Sequence, residues 1–363
     1  NENFTKKVKN KNVLDTALKN WQKKYENIGC VTSSYTPKYE ILVHRRLGCL
    51  SKSYMLEAVR HKSIRGLEKL DKKKIEECIG MGSGLPCMGC QAKANAHVLS
   101  RRTRGQANDS TYRNIPKSLP MQTEIDIATD TFGPFTPNYQ GIRYAQIFIN
   151  TSSRMAWLYP MRARSEYPFA LKQFLLDYKS NYPSKTRPVI YQSDYQTTFQ
   201  GTVDGKIDII RSDRAPELSS EEVNLILSDY DIKHLKTIAY TSIMNAKAER
   251  AIQTLNKIAI SQLANANLTT EEYKLCYWKS LKHAVHVYNI RPHRSLGYQT
   301  PYYAQTGVIP HIDWIRTWGS TAFEHLKIQQ RMTSSSLSKS ICWGLPTSPT
   351  PLGLLCMSRT TEE

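Results

Sequence analysis

Three acidic residues stand where carboxylates can do chemistry. Asp130 closes an alternating run, "EIDIATD", Asp213 closes the apolar run "KIDIIRSD", and Glu249 lies in the first turn of a helical pattern, "NAKAERAIQTLNKIAISQL". Neighbouring strand ends set two carboxylates side by side, and a helix starting beside them adds a third. Such a cluster repels itself and raises its own pKa values unless divalent cations neutralise it. Mg²⁺ prefers oxygen ligands of this kind and keeps positions free for phosphate and water. Two ions roughly 3.5–4 Å apart could activate a nucleophilic oxygen and stabilise the departing one in phosphoryl transfer. A second chemistry is signalled by Cys87 and Cys90 in "PCMGC", the one cysteine pair of the eight with metal-ligand spacing.

The elements that must position these groups can be read from periodicity. "TEIDIATDTFGPF", "RYAQIFIN" and "RMAWLYPM" are β-rich runs joined by short breaks, which predicts three antiparallel strands. "YPFALKQFLLDYKS" has helical spacing, "KIDIIRSD" reads as a strand, "SSEEVNLILSDY" as a capped helix and "IKHLKTIA" as a short strand. A long helix is expected from about 246 to 268, followed by a second over "EEYKLCYWKSLKHAVHVYN". Three consecutive strands, then strands alternating with helices, predict an α/β fold: a mixed five-stranded sheet flanked by helices. Upstream, a helix is expected from Ser53 to Arg60 with Ser51 or Ser53 as its cap.

Composition points to a polyanionic partner. The formal net charge is +19, and residues 1–120 carry 24 basic against 10 acidic side chains, so phosphate attraction belongs mainly to the N-terminal third. No apolar run approaches the ~20 residues of a membrane span, which predicts a soluble intracellular protein without a membrane partner. The first residue is Asn rather than Met, as expected for a piece of a longer precursor.

Asp213 and Glu249 are separated by 35 residues. That interval and its flanks resemble the D,D-35-E integrases of retroviruses and long-terminal-repeat retrotransposons, above all the copia (Pseudoviridae) branch. The matching pieces are "TDTFGPF", "RSDRAPEL", "NAKAERAIQTLN" and "YNIRPHRSLGYQTPYYAQTG", with "VHRRLGC" and "CMGC" upstream resembling the branch's zinc module. The resemblance covers about 41–331 and implies an RNase H-like core in which Asp130, Asp213 and Glu249 hold two Mg²⁺ or Mn²⁺ ions. It further implies 3′-hydroxyl attack by element cDNA on host double-stranded DNA, in a homo-oligomer acting in the nucleus after a cytoplasmic virus-like-particle stage. The family places two His ahead of the Cys pair; here His44 is followed by Cys49, giving a His44, Cys49, Cys87, Cys90 set suited to one structural Zn²⁺. His61 is the alternative fourth ligand, and the module is expected to unfold without metal, having few apolar residues of its own.

The implied organisation is a basic arm or linker over 1–40, the zinc module over 41–97, a linker over 98–120, the catalytic core over 121–290, a helical extension over 291–331 and an irregular tail over 332–363, which a frameshift would explain. Lys247, Arg250 and Lys257 are expected either to hold DNA phosphates or to form a solvated helix face. Arg291, His293 and Arg294 serve packing, capping or DNA contact. Glu217 is expected to be an outer acid or helix-start charge. Asp194 and Asp126 are alternatives for the second and first carboxylate. Ala215 and Ala246 stand where the family has Gly, which puts the catalytic turns in question. The rival functions are a catalytically inactive relic serving as a nucleic-acid scaffold and a metal-dependent nuclease of the same fold.

Overall fold

Tyr39–Glu363 forms one compact unit. Within it the computed structural model describes residues 39–78, 87–101, 125–181 except 139, 187–193, 196–203, 206–236 except 214, 246–323 except 267 and 269, 339–342 and 356–358. The arm expected over 1–40 and the linker expected over 98–120 thus fall almost wholly outside the described residues, as does Asp194.

The three β-rich runs form strands β1 (Asp126–Phe132), β2 (Tyr144–Asn150) and β3 (Ala156–Met161), paired antiparallel in sequence order. Helix α5 (Tyr167–Asn181) follows, numbered after four upstream helices: α1 (Tyr39–Arg46), α2 (Lys52–Arg60), α3 (Lys72–Cys78) and α4 (Met88–Arg101). A two-stranded hairpin, β4 (Arg187–Ser193) with β5 (Gln196–Val203), was not expected from the sequence; it pairs only with itself. Strand β6 (Ile209–Ser212), helix α6 (Glu221–Asp229) and strand β7 (Lys233–Lys236) complete the main sheet, whose order is β3-β2-β1-β6-β7 with the last two joined in parallel. Ser220 caps α6, its side chain accepting the Val223 N–H. Long helices α7 (Ala246–Asn265) and α8 (Thr270–Ile290) and short α9 (Pro301–Thr306) follow. The result is the expected RNase H-like sheet: three antiparallel strands extended by two parallel ones and flanked by helices.

Alternation along the strands assigns the two faces to separate cores. Ile127, Phe148, Met161 and Ile210 pack against α5 and α6, where Phe148 stacks on Phe174 with ring centroids 4.2 Å apart. Ala128, Ile147 and Ile149 face the other way, onto Ala248, Ala251, Leu255, Ile258 and Ala259 of α7 and Leu281, Ala284 and Val287 of α8. That second core does not stop at the sheet's covering helices. It continues without a break into Val43, Leu47, Leu50, Met55, Ala58, Ile64, Leu67 and Ile75 of the upstream module, and into Ile312 and Ile315 after α9. The expectation of a module poor in apolar residues is therefore corrected: its apolar side chains are numerous, and they are buried in common with the sheet's core. Gly48 allows this closeness, because at φ +63° it sits where a Cβ would lie 2.7 Å from Ile258 Cγ2.

The segment expected to be an irregular tail is also corrected where it is described. Lys339–Cys342 and Cys356–Ser358 are strands β9 and β10, which join Thr321–Phe323 (β8) in a small antiparallel sheet. Among the described residues no helix is long and apolar enough to cross a membrane.

One continuous core makes a test. Leu47→Ala in the module is expected to cost about 2–5 kcal/mol in urea unfolding. Hydrogen exchange at the β1 and β2 amides should quicken with it; unchanged exchange there would mean that module and sheet melt independently.

Candidate carboxylate and zinc sites

Register relates the first two acids. In the parallel ladder Asp126 pairs with Ile209, Ile127 with Ile210 and Ala128 with Arg211. The ladder ends there; continued by two residues at the same register it would bring Asp130 beside Asp213, just past the end of β6. Neighbouring strands lie ~4.8 Å apart, and residues an even number of positions on from a pair share its face. Ala128 faces α7, so this parity points Asp130 to the side where Glu249 rides in that helix's first turn. The Asp130 carboxyl registers its neighbours. Burial foremost, then the Asp213 and Glu249 charges, push it up to about 6, against the pull of the Thr131 N–H and Arg164. Asp130 Oδ1 accepts the Thr131 N–H at 2.8 Å and Asp213 Oδ1 the Ala215 N–H at 3.2 Å, so backbone donors orient both carboxylates. Among the described residues these three carboxylates do not form a set whose ligand atoms all lie within 4.8 Å of one another; their chemistry, oxygen donors whose charges push Asp130 up, is of the kind hard divalent cations take.

The competing acids are engaged elsewhere. Asp126 is buried and accepts from Arg211 Nε at 2.7 Å, an ion pair across the β1–β6 ladder. Glu217 pairs with Arg164 at 3.3 Å in a one-turn helix after β6. Ala215 has φ −55° and ψ 136°, a conformation open to any residue, so no glycine is needed there. Ala246 opens α7, where Ala is the best helix former.

Among the expected DNA contacts, Arg250 is exposed near Glu249, and Lys257 is half-buried further along α7. Lys247 turns to the backbone, donating to Thr151 O at 3.3 Å, and burial, with Arg154 and Arg211 nearby, lowers its pKa. Arg291 and His293 are packed rather than presented: burial pushes Arg291 down to about 10 and His293 down to about 4, and His293 Nε2 lies 3.1 Å from Tyr288 O. Arg294 is exposed in a single helical turn.

The second site is tighter. Ligand atoms of His44, Cys49, Cys87 and Cys90 all lie within 4.8 Å of one another. Helix α1 carries His44; its end turns through two successive left-handed residues, Gly48 at φ +63° and Cys49 at φ +53°. The Cys49 N–H then bonds back to His44 O at 2.9 Å, which returns the Cys49 sulfur toward the imidazole. Cys87 and Cys90 come from the start of α4, where Cys90 N–H bonds Cys87 O at 3.0 Å. Cys49 Sγ lies 3.6 Å from Cys87 Sγ, and Cys90 Sγ lies 3.2 Å from His44 Nε2. Around a tetrahedral zinc, sulfurs at ~2.3 Å from the metal are roughly 3.8 Å apart, so the donor set needs little adjustment. His44 Nδ1 donates to Leu50 O at 2.8 Å, which leaves Nε2 as the lone-pair nitrogen facing the sulfurs. Burial pulls the His44 imidazole down, but the Cys49 and Cys87 sulfurs outweigh it and raise it to about 9. Hydrogen bonds from Cys49 and Cys90 drive Cys87 far down, while Cys49 and Cys87 push Cys90 far up. His61 is not in this set; it pairs with Glu57 at 3.2 Å and stacks on Tyr298.

Sequence reasoning missed three contributors. Lys93 donates to Gly48 O at 2.6 Å and Cys49 O at 2.7 Å, and burial lowers it to about 8. Arg164 joins Glu217 and lies 5.6 Å over the Tyr144 ring. Asn265, the last residue of α7, touches the cysteines. None of the three had a local signal; Gly48, whose carbonyl Lys93 reaches, had one as a glycine after a short helix.

Against this geometry stand the comparisons with known proteins. No family model matches the chain. It is 23% identical over 294 residues to the retrovirus-related Pol polyprotein from transposon TNT 1-94 of Nicotiana tabacum, covering 80% of this chain and 18% of that protein. With the Pol polyprotein from transposon RE1 of Arabidopsis thaliana it shares 22% over 238 residues, covering 65% of this chain and 14% of that one. The chain thus spans less than a fifth of the length of either curated relative. Solved structures similar to it include the trimeric form of the HTLV-2 integrase catalytic core with magnesium, at TM-score 0.35 and 14% identity, covering 52% of this chain and 97% of that one. The BIV integrase core gives TM-score 0.33 and 14% identity, covering 50% and 93%. The molecule is a mixed five-stranded sheet of order β3-β2-β1-β6-β7 flanked by helices, with an upstream His/Cys cluster. Its sequence is distantly similar to copia-type retrotransposon Pol polyproteins.

Two outcomes follow from the site geometry. The Asp130 carboxyl holds its proton better folded than unfolded, so its contribution to stability is present below about pH 3.8 and is lost as pH rises toward about 6. In metal-free protein Asp130→Asn should therefore stabilise at pH 7, by about 1–2 kcal/mol after solvent screening, and Mg²⁺ should raise the melting temperature of the parent more than that of the variant. Zinc analysis of purified protein should give one equivalent, kept by His61→Ala and lost by Cys90→Ser; loss in His61→Ala would reassign the fourth ligand.

Proposed function

We propose that the chain is the integrase portion of a retrotransposon polyprotein and joins element cDNA to host DNA by strand transfer, with Asp130, Asp213 and Glu249 as catalytic residues. What supports this reading is the parallel β1–β6 register, which continued past Ala128–Arg211 leads to Asp130 and Asp213, together with the upward push of the Asp213 and Glu249 charges on Asp130. Bound among the three carboxylates, two Mg²⁺ or Mn²⁺ ions would neutralise their repulsion, activate the attacking 3′-hydroxyl and stabilise the departing oxygen. The protein's own part is to hold the carboxylates: the Thr131 and Ala215 N–H groups fix two of them, and Ala248, Ala251 and Leu255 seat the helix bearing the third. Arg250 and Lys257 take DNA phosphates, while Lys247, bonded to Thr151 O, braces the start of α7. The surplus of basic side chains in residues 1–120 strengthens the hold on double-stranded DNA.

His44, Cys49, Cys87 and Cys90 hold one structural Zn²⁺ in this reading. Organisation follows the expected division into module, core and post-core extension, except that the core is shared among them. Assembly as a homo-oligomer and action in the nucleus, after a virus-like-particle stage in the cytoplasm, complete the proposal.

The test supplies purified protein with Mn²⁺ or Mg²⁺, a blunt terminal-repeat oligonucleotide and plasmid. Joined products are expected, with at least a thousandfold loss in Asp130→Asn, Asp213→Asn and Glu249→Gln and retention in Asp194→Asn. Cutting without joining would make it a nuclease, and binding without either a scaffold.

A further inference from the structure

Helix α7 begins with Glu249 in its first turn and ends on Asn265. The Asn265 side chain lies against the thiol cluster. Its Nδ2 donates to Cys49 Sγ at 3.2 Å, its Oδ1 accepts the Gly89 N–H at 3.0 Å, and Cys87 Sγ is 3.7 Å from the same oxygen. The amide's orientation is decided by Gly89, whose backbone N–H can only donate, so oxygen must face the knuckle and nitrogen the sulfur. Backbone approach here is as close as glycine permits: a Cβ on Gly89 would lie 2.6 Å from Asn265 Nδ2, 2.6 Å from Cys49 Sγ and 2.7 Å from Ser261 O. One turn earlier, Ser261 Oγ donates to Ile258 O and reaches Gly48 O at 3.4 Å. Both cysteine-bearing turns, 48–49 and 87–90, are thus fastened to the last turn of α7.

We propose that Asn265 is a positioning residue of the zinc site, coupling zinc occupancy to the ordering of the helix that carries Glu249. Three thiolates and one neutral imidazole leave a dication with a net charge of −1. An amide N–H aimed at one sulfur offsets that charge and fixes the sulfur's direction. A neutral thiol accepts hydrogen bonds weakly and a metal-bound thiolate accepts them well, so the Nδ2–H···Sγ bond strengthens when metal enters. Because the same side chain ends α7, that added strength is delivered to the helix terminus, and by reciprocity an ordered helix raises the affinity for metal. Asn265 touches no substrate; it acts through Cys49.

This inference rests on the zinc reading, and Co²⁺ separates the two. The full-length protein, stripped of metal and titrated with Co²⁺, should show thiolate-to-cobalt absorption and the visible bands of a tetrahedral site. Their absence in the parent would remove the zinc reading and this inference with it. In Asn265→Ala the affinity for Co²⁺ and for Zn²⁺ is expected to fall 10–100-fold, with a shifted charge-transfer band. Asn265→Asp, which keeps an acceptor for Gly89 but loses the donor, should behave likewise and decides the matter if Asn265→Ala fails to fold. Hydrogen exchange supplies the second readout. Zn²⁺ should slow exchange at amides 258–265 in the parent but not in the variants, while amides of α5 and α6, on the opposite face of the sheet, keep their rates in all. Parent-like affinity and spectrum in both variants would overturn the positioning role; weaker metal binding with parent-like protection of 258–265 would overturn the link to the helix.

Discussion

The structure hangs on the burial of one stripe of helix α7. Ala248, Ala251, Leu255, Ile258 and Ala259 are each almost fully buried, and they meet Ala128, Ile147 and Ile149 of the sheet on one side and the upstream module on the other. Small residues near the start of the stripe let the helix lie close to the strands, where a carboxylate in its first turn can reach the strand ends. Larger ones toward its end fill the space shared with Val43, Leu47 and Leu50. At 1.5 Å per residue the helix carries Glu249 roughly 24 Å from Asn265, so one rigid rod connects the two clusters. Moving its stripe by one residue would turn both ends away from their partners by ~100°.

The two clusters address opposite electrostatic problems with the same resource. At the carboxylates burial, joined by the Asp213 and Glu249 charges, pushes the Asp130 carboxyl up to about 6. At the cysteines, hydrogen bonds among the close-set thiols drive Cys87 down and Cys90 up. Each arrangement is uncomfortable by itself and would be relieved by a cation of suitable hardness, since oxygen donors suit magnesium and sulfur with nitrogen suits zinc. Discomfort of this kind is kept only where surrounding packing over-determines it. Here the backbone donors of Thr131 and Ala215 and the double left-handed turn at Gly48 and Cys49 do so.

Most of the sheet was legible from local pattern, because strands β1 to β3 are short β-rich runs separated by turn residues and Ser220 announces its helix. The β4–β5 hairpin was not read: its residues carry an apolar run that periodicity cannot distinguish from a core strand. The apolar wealth of the module was underestimated, because Leu47, Met55 and Ile64 look like scattered residues until the residues some 200 positions away that cover them are known. Among the carboxylates, the candidate positions could be read from strand ends. The choice of Asp130 over Asp126 rested on resemblance; the ion pair of Asp126 with Arg211 is a tertiary contact that no local pattern signals.

The sequence by itself determined which side chains can donate to a metal, which segments run with a period of two or 3.6, and where charge accumulates. Those are properties of residues and their near neighbours, and local sterics and solvation impose them wherever the segment goes. Tertiary structure alone decided that β1 lies parallel to β6, that His44 and Cys49 close on Cys87 and Cys90, and that Asn265 reaches a sulfur. Each depends on a hydrogen-bond register or a close backbone approach between segments far apart in the chain. No local period encodes such a pairing; it is chosen by the simultaneous burial of every apolar face at once.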